Sequence, residues 1–151
     1  MEKQFEILRQ NRRAILKVTE AFSLNQLNAI PSGFKNNIAW NVAHLLVTQQ
    51  LLCYALAEIP TQLSDDFVAR YRKGTAPQQP MALEEFDFVK SLFVSLIDRF
   101  EYDYQEGKFK NFLSYTTSTT IVLNSIEDAI AFNNYHEGIH TGYILALSKL
   151  V

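Results

Sequence analysis

The sequence contains few of the residues that break helices or cross-link chains. Among its 151 residues are one cysteine, four prolines and five glycines. With Cys53 alone, an intrachain disulfide is excluded, and its apolar neighbours predict a buried thiol that packs as a small hydrophobic side chain. All four prolines lie at position 31 or between positions 60 and 80, where they mark breaks between helical segments.

Charge and hydropathy exclude two further classes of protein. The formal net charge at pH 7 is −2, so nothing in the composition favours binding to nucleic acid. No apolar run approaches the length that spans a bilayer, and the first residues, Met1–Phe5, lack the apolar segment of a signal peptide. We therefore expect a cytoplasmic protein that binds neither nucleic acid nor membranes.

Apolar residues recur at steps of three and four along four segments, which predicts four amphipathic helices. The predicted helices run from about Glu2 to Phe22, from Asn36 or Asn37 to about Glu58, from about Met81 to Gly107, and from a capping box at 124–127 to the end of the chain. The pattern predicts an all-α fold, an antiparallel four-helix bundle with long connectors, as one domain over residues 1–151.

The segments between these helices have their own signals. Ser23 is placed to cap a short turn of helix. The connector from Pro60 to Pro80 holds one predicted helical turn, from Asp65 to Tyr71. The segment 112–123 is rich in threonine and β-branched residues, and it predicts an extended strap that crosses the bundle and forms at most a brief ladder.

Three histidines are the strongest functional signal in the chain. His136 and His140 are four residues apart, a spacing that places both imidazoles on one face of a helix. His44 is the third, and it lies in another helical pattern. Neutral imidazole is the commonest protein ligand for zinc and related ions, and three ligands leave an open position of the kind that catalytic sites use. The sequence therefore predicts a metal site formed by His44, His136 and His140.

The register of the fourth predicted helix supports this site. Asn133, His136 and His140 fall on its apolar seam, where an unpaired polar group would cost about 1–3 kcal/mol. A metal with its water would satisfy them. Gly138 and Gly142 are also four residues apart on this helix, and they permit either a close approach that brings His44 within reach or ordinary tight packing of two helices.

The residues 136–140 also match the H-E-x-x-H signature of metalloproteases. We disfavour that function, because only eleven residues follow His140 and none of them is histidine, aspartate or glutamate. Glu137 is a candidate general base beside the metal, and the alternative is a solvated glutamate, because adjacent residues point about 100° apart around a helix.

Several other polar or aromatic residues have open roles. Trp40, one turn before His44, either packs in the core or forms the wall of a pocket. Gln49 and Arg12 interrupt apolar seams, and they pair with each other, bind substrate or reach solvent, which is the role we favour for Arg12. Asn133 is a candidate to orient a histidine ligand by hydrogen bonding.

Two segments of the chain resemble the DinB-like superfamily of DNA-damage-inducible and bacillithiol-transferase-like proteins. The first is Gly33–Leu45, with Trp40-Asn41-Val42-Ala43-His44, and the second is Phe132–Ile144, with His136-Glu137-Gly138-Ile139-His140. The resemblance extends over nearly the whole chain. It implies a four-helix bundle with a three-histidine site for zinc, nickel or a similar metal, to which His44, His136 and His140 correspond.

The resemblance leaves the reaction open, because some relatives transfer a low-molecular-weight thiol and others isomerise or hydrolyse small molecules. We expect a metal-dependent enzyme acting on a small-molecule substrate, either a thiol S-transferase or a hydrolase, with a low-molecular-weight thiol as a possible co-substrate. The alternative is a non-catalytic stress or interaction protein that the metal stabilises. A homodimer is expected from the apolar residues Leu147, Leu150 and Val151, with packing inside the monomer as the alternative.

Overall fold

Helices make up most of the computed structural model, which describes all 151 residues. The elements are α1 (Glu2–Thr19), α2 (Leu24–Asn28), α3 (Ile38–Gln49), α4 (Asp65–Tyr71), α5 (Leu83–Gln105), β1 (Tyr115–Thr116), β2 (Val122–Leu123) and α6 (Ile126–Leu147). A π-helical turn, Gln50–Tyr54, and a 3-10 turn, Ala55–Ala57, follow α3 directly. The mainly helical class is therefore confirmed. None of the helices combines the length and the apolar content needed to cross a membrane.

Side-chain caps fix the starts of α3 and α6, close to where the sequence predicts them. Asn37, rather than Asn36, caps α3 by accepting a hydrogen bond of 2.8 Å from the Trp40 N–H. Ser125 caps α6 and accepts from the Asp128 N–H at 3.1 Å. The reciprocal carboxylate is that of Asp128, which accepts from the Asn124 N–H at 2.9 Å, and not that of Glu127 as the capping box predicts.

Two helices end earlier than predicted. α1 stops at Thr19 instead of Phe22, and α6 stops at Leu147 instead of running to the end of the chain. In both places the next amides bond to carbonyls three residues back, as Phe22 does to Thr19 and Leu150 to Leu147. These tighter turns satisfy the last carbonyls of each helix without extending it.

The threonine-rich strap forms a small hairpin of its own. β1 and β2 pair antiparallel, with Tyr115 opposite Leu123 and Thr116 opposite Val122. Both strands of this brief ladder therefore come from the strap itself. The Leu113 N–H donates to the Leu56 carbonyl at 2.7 Å and ties the hairpin to the turns that follow α3.

The four long helices enclose the core by packing in pairs. α1 contacts α5 and α6, and α3 contacts the same two helices. The buried apolar residues form two clusters, the larger one centred on α3 and α5. Cys53 is fully buried in the smaller cluster, as predicted, and burial raises the pKa of its thiol, which makes it a poor nucleophile.

A buried ion pair joins these helices at one point. The side chains of Arg12 in α1 and Glu137 in α6 are both 0% exposed, with Arg12 Nη2 2.7 Å from Glu137 Oε1 and Arg12 Nε 3.0 Å from the same oxygen. Arg12 Nη1 donates to the Phe93 carbonyl of α5 at 2.9 Å, and Nη2 donates to the Leu45 carbonyl of α3 at 3.4 Å. One guanidinium therefore contacts all four long helices.

The ion pair corrects two expectations from the sequence. Arg12 is not a solvated side chain, and it does not pair with Gln49, which is itself buried and accepts a hydrogen bond from Gln50 at 3.1 Å. Glu137 is not a solvated helix glutamate either. A charge is rarely buried unless an opposite charge and hydrogen bonds compensate it, and each of these residues supplies that compensation for the other.

We predict that Arg12→Met destabilises the protein by about 3–5 kcal/mol, because it leaves the carboxylate of Glu137 buried without a counter-charge. Urea denaturation measures the change in the free energy of unfolding. Arg9→Met is the matched control: Arg9 lies one turn earlier in α1 and pairs with Asp98 and Glu101 near the surface, where an ion pair contributes about 0–1 kcal/mol.

The double variant Arg12→Met with Glu137→Met should recover most of the loss, since apolar residues of similar volume replace buried ion pairs at little cost. Equal effects of Arg12→Met and Arg9→Met on stability would show that the buried pair has no special role.

Candidate metal centre

The three histidines of the chain converge at one place between α3 and α6. The ring centroid of His44 is 5.3 Å from that of His136 and 4.8 Å from that of His140, and the centroids of His136 and His140 are 4.5 Å apart. One ring nitrogen of each lies within 4.8 Å of the other two. Zinc–nitrogen bonds of about 2.1 Å put two ligand atoms at most about 4.2 Å apart, so small side-chain rotations would bring all three within bonding distance of one ion. The cluster could therefore hold a metal.

His44 is held in a single orientation by its surroundings. Its Nδ1 lies 2.7 Å from the Tyr71 carbonyl, an acceptor that requires the proton on Nδ1. Nε2 is then left as the lone-pair nitrogen, and the Thr48 hydroxyl lies 3.2 Å from it. The indole of Trp40 stacks on the imidazole, with centroids 4.7 Å apart and planes at 10°. Trp40 is thus both a core residue and a wall of the site.

His140 is oriented by an asparagine that sequence reasoning missed. Its Nδ1 lies 2.7 Å from Asn41 Oδ1. The amide group of Asn41 donates to Asn36 Oδ1 at 3.1 Å and to the Asn37 carbonyl at 2.7 Å, so Oδ1 is the acceptor and His140 carries its proton on Nδ1. Hydrogen bonds of this kind fix ligand orientation in metal sites. The signal in the sequence was a polar residue three positions before His44 in an otherwise apolar run.

His136 has an unsatisfied nitrogen. Its Nδ1 is buried and has no hydrogen-bond partner within the protein. A buried polar atom without a partner costs about 1–3 kcal/mol, and coordination or a bound water would remove that cost. This orphaned nitrogen, within an all-imidazole donor set, fits a site for zinc or a related ion.

Burial keeps the imidazoles neutral. Desolvation, with smaller contributions from the nearby His140 and His44, lowers the pKa of His136 to about 3. Desolvation also lowers the pKa of His140 to about 4, with a contribution from His44. The pKa of His44 is lowered by burial, although its hydrogen bond to Tyr71 opposes the shift. Neutral imidazole is the form that binds metals, so near pH 7 the site is ready to do so.

The register predicted for α6 needs a correction. The innermost residues of the helix include Asn133, Glu137 and Ile144, whereas His136 and His140 are half-buried at the side of that face. Asn133 does not orient a histidine: its amide group donates to Glu137 Oε1 at 3.3 Å. The two polar sets thus occupy neighbouring stripes of one helix, one facing Arg12 and the other facing His44.

The two glycines of α6 also differ from both of their predicted roles. Gly138 and Gly142 are exposed, and a Cβ atom on either would meet nothing within 4 Å. They therefore neither bring His44 close nor permit tight packing inside the monomer. The approach of α3 to α6 follows instead from the packing of their buried faces.

The carboxylate of Glu137 is engaged with Arg12 in the core, although Glu137 lies between the two histidines in sequence. Asn11 Nδ2 lies 3.5 Å from its other oxygen. A general base must be within hydrogen-bond reach of the proton that it removes, and the hydrogen bonds of this carboxylate go to Arg12 and two asparagines instead.

A cavity of about 320 Å³ opens beside the cluster. His44 and His136 form one end of it, and Thr48 lies next to them. The rest of the lining comes from the turns that follow α3, from Lys73, from Phe132 and from the hairpin strap. The strap and the connector after α4 thus complete a pocket at the candidate metal centre, which the sequence pattern of neither segment indicated.

Comparison with known proteins identifies the family. A family model described as the DinB superfamily matches residues 7–144 of the 151-residue chain. The match covers all three histidines and Asn41. No curated protein matches the sequence.

We predict that the stability of the metal-free protein falls as the pH decreases from about 6.5 towards 4. The pKa values of His136 and His140 are about 3 and about 4 in the folded state, below the usual 6.5, so only the unfolded chain gains these protons in that window. Urea denaturation at several pH values measures the loss. Acidic groups add their own pH dependence, so the control is the variant His136→Gln with His140→Gln, which should lose less stability over the same range. An identical pH dependence for the two proteins would contradict the prediction.

Proposed function

The chain belongs to the DinB superfamily, and we propose that it is a metal-dependent enzyme holding one divalent ion through His44, His136 and His140. The observation that carries the proposal is the convergence of three imidazoles at the end of a cavity of about 320 Å³. Three nitrogen ligands leave a coordination position for water or substrate, as in catalytic zinc sites. Zinc or nickel is the ion that we propose.

A divalent ion at this position would lower the pKa of a bound water or low-molecular-weight thiol and so supply a nucleophile near neutral pH. The chain prepares the site in three ways. Tyr71 and Asn41 hold the protons of His44 and His140 on Nδ1, which leaves the opposite nitrogens free to coordinate. The Thr48 hydroxyl donates to His44 Nε2, and coordination of that nitrogen would release this hydroxyl to a molecule in the cavity. Apolar side chains of the cavity lining lie beside the site, where they can bind the hydrocarbon part of a substrate.

These features support a thiol S-transferase or a small-molecule hydrolase, the two reactions that a metal-activated thiol or water would perform. The rival function is a non-catalytic stress or interaction protein whose metal stabilises the bundle. A fourth protein ligand would favour the rival, whereas the cluster comprises three histidines and borders an accessible cavity. We therefore favour the enzyme.

The general-base role of Glu137 stays a prediction from the sequence. We propose instead that Glu137 is a positioning residue, because its ion pair with Arg12 fixes the rotation of α6 and with it the direction of His136 and His140. The packing of α1 and α3 against α5 and α6 supports the antiparallel four-helix bundle as the arrangement of the long helices. A cytoplasmic location also stays a prediction.

The metal ligands can be tested one at a time. We predict that His44→Ala, His136→Ala and His140→Ala each lose most of the bound zinc or nickel, because two ligands hold a divalent ion poorly. Asn41→Ala should weaken metal affinity by about 10- to 100-fold, since it removes the hydrogen bond that orients His140. Elemental analysis and isothermal titration calorimetry measure these losses. Asn134→Ala is the matched control, because Asn134 bonds to Gln4 of α1 and not to a histidine.

The same variants test catalysis. A screen of electrophiles and esters with several low-molecular-weight thiols, with and without zinc or nickel, should reveal turnover that requires the metal and rises with pH. Each histidine variant should abolish this turnover, and Glu137→Gln tests the base role in the same assay. Full metal content in all three histidine variants would refute the site. Metal binding without metal-dependent turnover across the screen would favour the non-catalytic protein.

We also propose that the chain forms a homodimer, on a surface different from the one first expected. Leu147 is fully buried and Val151 packs on the core, so of the three expected residues only Leu150 is well exposed. A continuous stripe of exposed apolar and small residues instead follows one face of α6: Ala131, Tyr135, Gly138, Ile139, Gly142, Leu145 and Ala146. The two glycines would allow a second copy of α6 to approach closely.

Sedimentation velocity tests the dimer. We expect the wild type to be dimeric at micromolar concentrations and Ile139→Glu to be monomeric, because the substitution places a charge in the middle of the stripe. Ile7→Glu is the matched control, since Ile7 in α1 is 47% exposed and Ile139 is 49% exposed. A monomeric wild type, or equal dissociation of both variants, would contradict the proposed surface.

A further inference from the structure

The cavity beside the histidines is apolar along one wall and charged at one point. Leu51, Leu52, Leu56 and Phe132 supply the apolar wall. No aspartate, glutamate or arginine lines the cavity, and Lys73 is its one lysine. A molecule that enters from water can therefore place its apolar surface against hydrocarbon side chains. The one charged group that it can contact in the lining is the ammonium group of Lys73.

The ammonium group of Lys73 has no counter-charge from the protein. None of the ion pairs in the structure includes Lys73. Lysine donates three hydrogen bonds and accepts none, so its natural partner at the edge of an apolar cavity is an anion. A metal ion in the histidine cluster would add further positive charge beside the same cavity.

Lys73 is held beside the site by the segment that also orients a histidine. It lies two residues after Tyr71, whose carbonyl accepts from His44 Nδ1 at 2.7 Å. The ring of Tyr71 is buried, and its hydroxyl donates to Glu85 of α5 at 2.9 Å. Gly74 then turns the chain with a positive φ of 89°. The contacts of Tyr71 thus fix both the backbone next to Lys73 and the orientation of His44.

The volume of the cavity limits what it can hold. A volume of about 320 Å³ lies at the lower end of the range of about 300–1,000 Å³ that small-molecule sites occupy. The cavity therefore suits a small organic molecule. The hydroxyl groups of Tyr115 and Ser118 in the strap add hydrogen-bonding positions along the lining.

From these observations we infer that the substrate of this site is a small organic carboxylate, whose apolar body lies along Leu51, Leu56 and Phe132 and whose carboxylate binds Lys73. The inference deepens the proposed function, since it names the substrate class of the same cavity. Binding through Lys73 leaves the rest of the molecule directed towards His44 and His136, where the metal-activated nucleophile would act.

Three six-carbon probes that differ in head group test the inference: sodium hexanoate, 1-hexanol and hexylamine. Titrations of the zinc-loaded full-length protein, followed by ¹⁵N NMR, give a dissociation constant for each and show which amides are perturbed. We expect hexanoate to bind more tightly than hexanol and hexylamine to bind most weakly. The perturbed amides should be those of the cavity residues.

Substitutions of Lys73 separate its charge from direct coordination of the carboxylate by zinc. Lys73→Met should raise the dissociation constant for hexanoate about fivefold or more, as expected for the loss of one charge-assisted contact, and leave that for hexanol unchanged. Lys73→Glu should reverse the order and favour hexylamine. The matched control is Lys17→Met, because Lys17 is an exposed, unpaired lysine of α1 that does not line the cavity.

A second variant tests the location. Ala55 lines the cavity and is exposed, so Ala55→Phe fills space without disturbing the core. It should abolish binding of all three probes and leave zinc content unchanged. Unaltered hexanoate affinity in Lys73→Met, or equal affinities of the wild type for hexanoate and hexylamine, would overturn the inference.

Failure of the inference is distinguishable from failure of the proposed function. If the wild type binds no zinc in elemental analysis, the metal-dependent function is wrong. The Lys73 comparison is then made on the metal-free protein, where a preference for hexanoate that Lys73→Met removes would still support the carboxylate site. If zinc binds but the charge on Lys73 has no effect, the metal site stands and the substrate class is wrong.

Discussion

The guanidinium of Arg12 is the interaction on which the arrangement of the long helices depends. It pairs with Glu137 of α6 and donates to carbonyls of α3 and α5, while its own backbone belongs to α1. A buried pair of this kind adds little net stability compared with apolar packing, but removing either partner is costly. The pair favours one rotation and alignment of the helices, since the guanidinium bonds to α3, α5 and α6 at a single point.

The contacts of Arg12 also help to orient the candidate metal centre, because they involve residues adjacent in sequence to two of the histidines. Leu45, whose carbonyl accepts from Arg12, follows His44, and Glu137 follows His136. Because adjacent residues of a helix point about 100° apart, fixing Leu45 and Glu137 against Arg12 also fixes where the imidazoles point. The site is then completed by Tyr71 and Asn41, which set the protonated nitrogens of His44 and His140.

The connectors contribute the environment that the helices alone do not provide. The segment after α4 brings the Tyr71 carbonyl to His44 and Lys73 to the cavity, and the hairpin strap covers the opposite side. The same packing has two effects. It buries the histidines, which lowers their pKa values, and it supplies the apolar walls of the cavity. The candidate metal centre and the cavity beside it are in this sense one consequence of how the connectors cover the long helices.

The sequence by itself determined the long helices and the three candidate metal ligands. Periodicity located α1, α3, α5 and α6, and capping residues placed the starts of α3 and α6. The spacing of His136 and His140, with a third histidine, indicated one site. These features depend on local geometry. It did not determine that Arg12 and Glu137 are buried together or that Gly138 and Gly142 face outward. Neither did it indicate that Asn41 and Lys73 border the site. Those facts depend on which residues, distant in sequence, come into contact when the long helices pack. A charged residue is predicted from sequence to be exposed, because the opposite charge that allows its burial is known only from the tertiary structure.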